Sequence, residues 1–148
     1  MICLKTILLA EDNPKDVELT LEALSEDNLA NNVIVVKDGV EAIEYLRYEG
    51  NYKQRKRGNP AVILLDIKMP RMDGIEVLKT IRSDDKLKTI PIVILTSSRE
   101  EPDLMKSYEL GVNAYVVKPV NFKDFIDAVK GIGIFWALIN ELPPEQGG

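Results

Sequence analysis

Three carboxylates and one amine in this chain each follow a short apolar run, the place where a folded backbone delivers side chains to a common edge. Glu11 and Asp12 come after the run at 5–10, Asp66 after the run at 61–65 and Lys118 after the run at 114–117. Thr96 and Ser97 come after a fourth run at 92–95. If these runs are neighbouring strands, Glu11, Asp12 and Asp66 meet in one crevice, an arrangement that is costly without a cation. Clustered hard oxygen ligands suit Mg²⁺, which keeps several waters and takes only one or two carboxylates directly. Taken alone, Glu11 and Asp12 have a plainer reading as residues that cap the first helix or benefit from its dipole.

The elements that must do this positioning are legible in the rhythm of the chain. Short runs of Val, Ile, Leu and Ala at 5–10, 33–36, 61–65, 92–95 and 114–117 read as strands, and continuous apolar character suits burial on both faces. Longer amphipathic stretches lie between them. Asn13 can cap a first helix starting at Pro14, with Val17, Leu21 and Leu24 on one apolar stripe and Asp16, Glu18 and Glu22 facing water. Further helices are expected at about 40–48, 74–82 and 102–110, the last stopped by Gly111, and a fifth begins at Asn121. Alternating strands and helices with right-handed crossovers give an α/β, flavodoxin-like, doubly wound sheet of order 2-1-3-4-5. Its first and third strands then lie side by side, with the crevice opening at their carboxyl ends.

Bulk properties narrow the function. At 148 residues the chain suits one domain, with a core at about 5–130 and an extension at 131–148. The net charge of -5 does not favour nucleic acid or an anionic membrane. The short basic group Lys53, Arg55, Lys56 and Arg57 reads as a solvated loop. No apolar run approaches the roughly 18–20 residues of a membrane span. The single cysteine, Cys3, forms no internal disulfide and suits a reducing cytoplasm. Histidine is absent, which removes Ser-His-Asp triads and histidine metal sites.

The run Asp66-Ile67-Lys68-Met69-Pro70-Arg71-Met72-Asp73-Gly74 resembles the phosphorylation-site segment of response-regulator receiver domains. Glu11-Asp12, Thr96-Ser97 and Lys118-Pro119 complete that family's set in the same order. The resemblance implies that Asp66 is the phosphoacceptor and Asp12 a direct ligand of Mg²⁺. Glu11 would act on the metal mainly through water, and the Lys68 backbone carbonyl would also face it. By the same likeness Lys118 supplies a second positive charge and the Thr96 hydroxyl binds a phosphoryl oxygen, while Ser97 leaves a phosphodonor room. Tyr115 would take the place of an aromatic switch residue that follows Thr96, and the resemblance implies a cis bond before Pro119. Lys68 and Ser98 would influence the lifetime of the phosphoryl group by controlling access of water. Plainer readings stand beside these: a helix cap for Thr96, a solvated strand-exit lysine for Lys118 and half-buried packing for Tyr115.

After Pro119 too few residues remain for an output domain, so output through protein contact is expected. The segment from Phe122 to Ile139 carries more apolar residues than one core-facing stripe requires, which predicts a homodimer or partner surface. That surface would combine the fourth helix, fifth strand and fifth helix with an extension through Trp136 to Leu142. The long connection before the third strand and the Phe135-Trp136 ending are similar to stand-alone receivers that partner bacterial phytochrome kinases. The resemblance therefore implies a sensor histidine kinase as donor and a phosphoryl acceptor rather than an enzyme with several substrates. Two rivals use a related topology or chemistry. An aspartate-nucleophile phosphatase would place a carboxylate at position 68, where this chain has Lys68. A flavin carrier needs a phosphate-cradling loop where this chain has Glu11 and Asp12. A receiver-like module that binds partners without phosphate remains the third alternative.

Overall fold

In the computed structural model, which describes residues 2–27, 29–97, 102–134 and 138, strands and helices alternate along the chain. They are β1 (Ile2–Ala10), α1 (Pro14–Leu24), β2 (Val33–Val36), α2 (Gly39–Arg47), β3 (Asn59–Asp66) and α3 (Gly74–Arg82), then β4 (Ile92–Thr96), α4 (Pro102–Glu109), β5 (Ala114–Val117) and α5 (Phe122–Gly131). The strands form one parallel sheet of order β2-β1-β3-β4-β5, as the sequence pattern implies. Register does the work that matters for function. Ala10 pairs with Leu65, Asp66 with Leu95 and Thr96 with Val117. The residues that follow, Glu11 and Lys118, therefore emerge at the same edge as Asp66.

Side chains alternate between the two faces of the sheet, and the buried residues fall into two clusters accordingly. Leu8, Ile63, Leu65 and Ile94 pack with Ile43, Leu78, Ile81 and Leu104 from α2, α3 and α4. Ile7, Leu9, Leu64 and Leu95 pack with Leu24, Phe125 and Val129 from α1 and α5. Helix starts are fixed by polar caps. Asn13 accepts from the Lys15 and Asp16 amides, Asp73 and Glu76 form a capping box, and Asn121 accepts from the Asp124 amide. Gly111 ends the α4 region with φ +88°.

Several expectations need correction. Arg55 is not part of a solvated loop: its guanidinium lies 4.0 Å from the ring centroids of both Tyr45 and Tyr48. Its Nε donates to the Tyr45 carbonyl at 2.6 Å, and Nη1 donates to the Lys56 and Gly58 carbonyls. A planar, weakly hydrated guanidinium can be buried this way where an ammonium resists it. The apolar excess near the carboxyl end is smaller than the pattern implies. Phe125, Val129 and Leu138 are buried in the chain's own core, with Phe122, Ile132 and Ile134 packed against it. Phe135, Trp136 and residues 139–148, which carry the rest of the expected extension, lie outside the described residues, as does Ser98. Among the described residues, no helix is long and apolar enough to cross a membrane.

Candidate functional site

The carboxyl ends of β1, β3, β4 and β5 enclose a cleft of about 230 Å³. Glu11, Asp12 and Asp16 line one side, Asp66 and Lys68 the floor and rim, and Thr96, Ser97 and Lys118 the other side. A larger cavity of about 710 Å³ opens near the amino end of β3, between Tyr48, Arg57 and Lys86, far in the sequence register from these groups. Volume does not decide between them; the convergence of carboxylates does.

Glu11, Asp12 and Asp66 each present an oxygen within 4.8 Å of the other two. Glu11 is 1% exposed and Asp66 7% exposed, whereas Asp12 faces solvent. Lys118 crosses from β5 to meet them, its Nζ lying 2.8 Å from Glu11 Oε1 and 3.1 Å from Asp66 Oδ1. The Lys118 amide donates to the Thr96 carbonyl at 2.7 Å, which ties the exit of β5 to the end of β4; the Lys118–Pro119 bond is cis. Glu11 is held by its own amide donating to the Val36 carbonyl at 3.0 Å, and its Oε2 accepts from the Asn13 amide at 3.3 Å.

Electrostatics follow from this packing. Burial pushes the Glu11 carboxyl up to about 7; the Lys118 hydrogen bond opposes the rise, and Asp66 adds to it. For Lys118, burial works against the charged form, but the hydrogen bond to Glu11 and the charges of Asp66 and Glu11 outweigh it and raise its pKa. One amine thus serves a cluster with more negative than positive charge. The remaining imbalance, together with oxygen donors at close range on an open cleft, fits a hard divalent cation.

The loop after β3 is held from two directions. The Gly74 amide donates to the Ile67 carbonyl at 2.8 Å, and a side chain at Gly74 would run into the backbone at Asp66 and Ile67. Arg71, at φ +64°, grips Asp38 at the start of α2 through Nε at 2.9 Å and Nη2 at 3.1 Å from its two carboxylate oxygens. Bidentate Arg–carboxylate geometry fixes orientation as well as distance.

The residues singled out from the sequence are therefore distributed as follows. Glu11, Asp12, Asp66, Lys68, Thr96 and Lys118 all border the cleft. Thr96 is buried at the end of β4, while the Lys68 side chain is exposed at the rim. Tyr115 is not in the cleft. It packs half-buried on the α4 side, with its ring edge-on to Tyr108 at a centroid distance of 6.2 Å. Asp16 corrects the sequence reading: instead of simply facing water, it brings Oδ2 to 3.2 Å from Lys118 Nζ. Arg71 was likewise not singled out as a positioning residue.

The chain is similar to known proteins over most of its length. Residues 7–130 match the response regulator receiver domain. The chain is 42% identical to response regulator Rcp1 of Synechocystis sp. over 139 residues, 94% of this chain and 93% of that protein. A crystal structure of the Mn²⁺-bound form of Rcp1 superposes with a TM-score of 0.71 at 39% identity, covering 95% of this chain and 99% of that one. The bacteriophytochrome response regulator RtBRR superposes with a TM-score of 0.84 at 60% identity, covering 95% and 85%. The phosphorylated cyanobacterial phytochrome response regulator RcpA gives a TM-score of 0.73 at 44% identity, covering 95% and 98%.

Proposed function

The chain belongs to the response regulator receiver domain family, and from that membership we propose that it is a phosphoryl-accepting switch working with Mg²⁺ and a sensor histidine kinase. The observation that carries this reading is the meeting of Glu11, Asp12 and Asp66 within 4.8 Å, with Lys118 Nζ 3.1 Å from the Asp66 carboxylate. Glu11, Asp12, Asp66 and the Lys68 backbone carbonyl would hold the metal. When bound, Mg²⁺ offsets the charge that develops on the phosphoryl oxygens.

In the transfer, an oxygen of Asp66 forms a bond to phosphorus as the bond from phosphorus to the donor nitrogen breaks. The donor imidazole keeps the electron pair, and Asp66 becomes an acyl phosphate. Lys118 and the Thr96 hydroxyl bind oxygens of the arriving group, and Ser97 leaves the entrance open. Tyr115 follows Thr96 and alters the α4–β5–α5 face, where output takes place by contact. A bacterial phytochrome kinase is the proposed donor, on the strength of the relatives named above. Mixing that labelled kinase with the chain is expected to move the label to Asp66; label that stays on the kinase while a known receiver accepts it would remove this partner.

We place homodimerisation on the same face. Tyr108 on α4 is 46% exposed, and a concavity lined by Tyr108, Tyr115, Val117, Asp124 and Asp127 lies beside it. A self-associating face is expected to give a concentration-dependent sedimentation coefficient that Tyr108→Glu abolishes; monomers at high concentration, with and without phosphoryl group, would contradict it.

The elevated Glu11 pKa sets a pH dependence. Glu11 binds its proton more tightly folded than unfolded, since about 7 exceeds the ordinary 4.5. Its contribution to stability is therefore fully present below about pH 4.5 and lost as pH rises through about 7. Mg²⁺ competes with that proton. Its affinity is expected to fall by up to about tenfold per pH unit below neutrality and to level off above it, with proton release on binding near pH 6.5. Calorimetry in buffers of different ionisation enthalpy reads both.

A further inference from the structure

Asp16 is the acidic residue in the cleft that the acceptor chemistry leaves without a task. It is not one of the three clustered oxygen donors, yet it stands 3.2 Å from the amine that those donors share. Its placement is not loose. Asp16 lies in the first turn of α1, and its backbone amide donates to the Asn13 capping oxygen at 3.2 Å. Lys118 has three ammonium hydrogens, and the structure sets three carboxylates around it: Glu11 at 2.8 Å, Asp66 at 3.1 Å and Asp16 at 3.2 Å. Three carboxylates thus surround the amine before a phosphoryl group arrives, and the contact with Asp16 is the one with hydrogen-bond geometry.

We propose that Asp16 is a positioning residue that holds Lys118 back toward α1 in the resting site, so that phosphoryl transfer must first break the Lys118–Asp16 pair. This rests on the acceptor reading above. Of the three pairs, the one with Asp16 is the longest and the most open to solvent. The Asp16 side chain is 30% exposed, against 1% for Glu11 and 10% for Asp66, so solvent screens this pair most. Asp16 also adds a negative charge to the cleft wall, which opposes an incoming phosphoryl dianion. Both effects act in one direction: they slow entry of the phosphoryl group and favour a bound cation.

The test is the rate of labelling by acetyl phosphate at saturating Mg²⁺, compared among wild type, Asp16→Asn, Asp16→Glu and Glu18→Gln. Glu18 is an exposed residue of α1, so its variant removes the same unit of charge from the same helix without touching Lys118. Asp16→Asn is expected to label about fivefold faster, the scale of a partly screened ion pair. Asp16→Glu returns to within about twofold of wild type, and Glu18→Gln does not differ from it. Calorimetry supplies a readout that does not depend on phosphorylation. Asp16→Asn is expected to bind Mg²⁺ about threefold more weakly, since it loses one charge from the cleft wall.

Labelling of Asp16→Asn at or below the wild-type rate, with an unchanged melting temperature, overturns the inference. Equal acceleration in Glu18→Gln also overturns it, because net charge alone would then be responsible. A wild-type chain that takes no label sinks the acceptor reading itself, whereas a wild-type chain that labels while Asp16→Asn gains nothing sinks only the role of Asp16.

Discussion

Lys118→Ala is expected to slow phosphoryl acceptance about 100-fold, the usual scale for removing one preorganised charge-stabilising donor from a transfer site. The same substitution leaves Glu11, at 1% exposure, and Asp66 facing each other with no amine between them. Removing one partner of a buried ion pair costs about 3–5 kcal/mol when the remaining charge has no relief. Here two reliefs exist: a proton on Glu11, whose pKa is already raised to about 7, and a divalent cation. The loss of stability is therefore expected to be largest at pH 8 in chelator and small at pH 6 or with Mg²⁺ present. Denaturant titrations under those three conditions read it. Mg²⁺ itself should bind the variant about tenfold more tightly, because a competing positive charge has gone. A uniform loss of stability under all conditions would show that Lys118 acts by packing its stem rather than through its charge.

Gly74→Ala is expected to cost about 2–3 kcal/mol and to impair acceptance together with stability. A Cβ at this position would stand 2.8 Å from the Ile67 Cα and closer still to the Asp66 carbonyl oxygen. Both are backbone atoms and cannot swing aside as a side-chain tip would. Helix α3 must then move off the end of β3, and the Asp66 carboxylate moves with it. Gly131 offers the internal contrast, since nothing lies within 4 Å of a Cβ there and its φ is not positive. Gly131→Ala is expected to stabilise the fold by about 0.4–1 kcal/mol through the unfolded chain. Equal effects of the two substitutions in thermal unfolding would remove the close-approach argument for Gly74.

What could be read from the sequence depended on how local the cause was. The five strands announced themselves because continuous Val, Ile and Leu runs have few other homes, and the crevice followed because Glu11, Asp66 and Lys118 terminate such runs. Asn13 and Pro14 fixed the start of α1 to the residue. Asp16 was assigned to solvent because helical phase alone places it opposite Val17 and Leu21. Its approach to Lys118 depends on how α1 leaves β1 and on a side chain 102 residues away, and no local pattern encodes that. Arg55 was misread for a similar reason, since its stacking partners are Tyr45 on α2 and Tyr48 at the cap just past that helix. Leu87 and Ile90, both buried, belong to a turn between α3 and β4 that shows neither helical nor strand periodicity. At the carboxyl end, apolar count overstated the free surface because Ile132, Ile134 and Leu138 fold back onto the chain's own core.

The reading as a whole turns on whether Asp66 accepts a phosphoryl group, and intact mass after incubation with acetyl phosphate measures that directly, with and without Mg²⁺, for wild type and Asp66→Asn. A single phosphoryl adduct that needs Mg²⁺ and vanishes in the variant is the expected result. No adduct under conditions that label a control receiver, or an adduct that persists in Asp66→Asn, would contradict it.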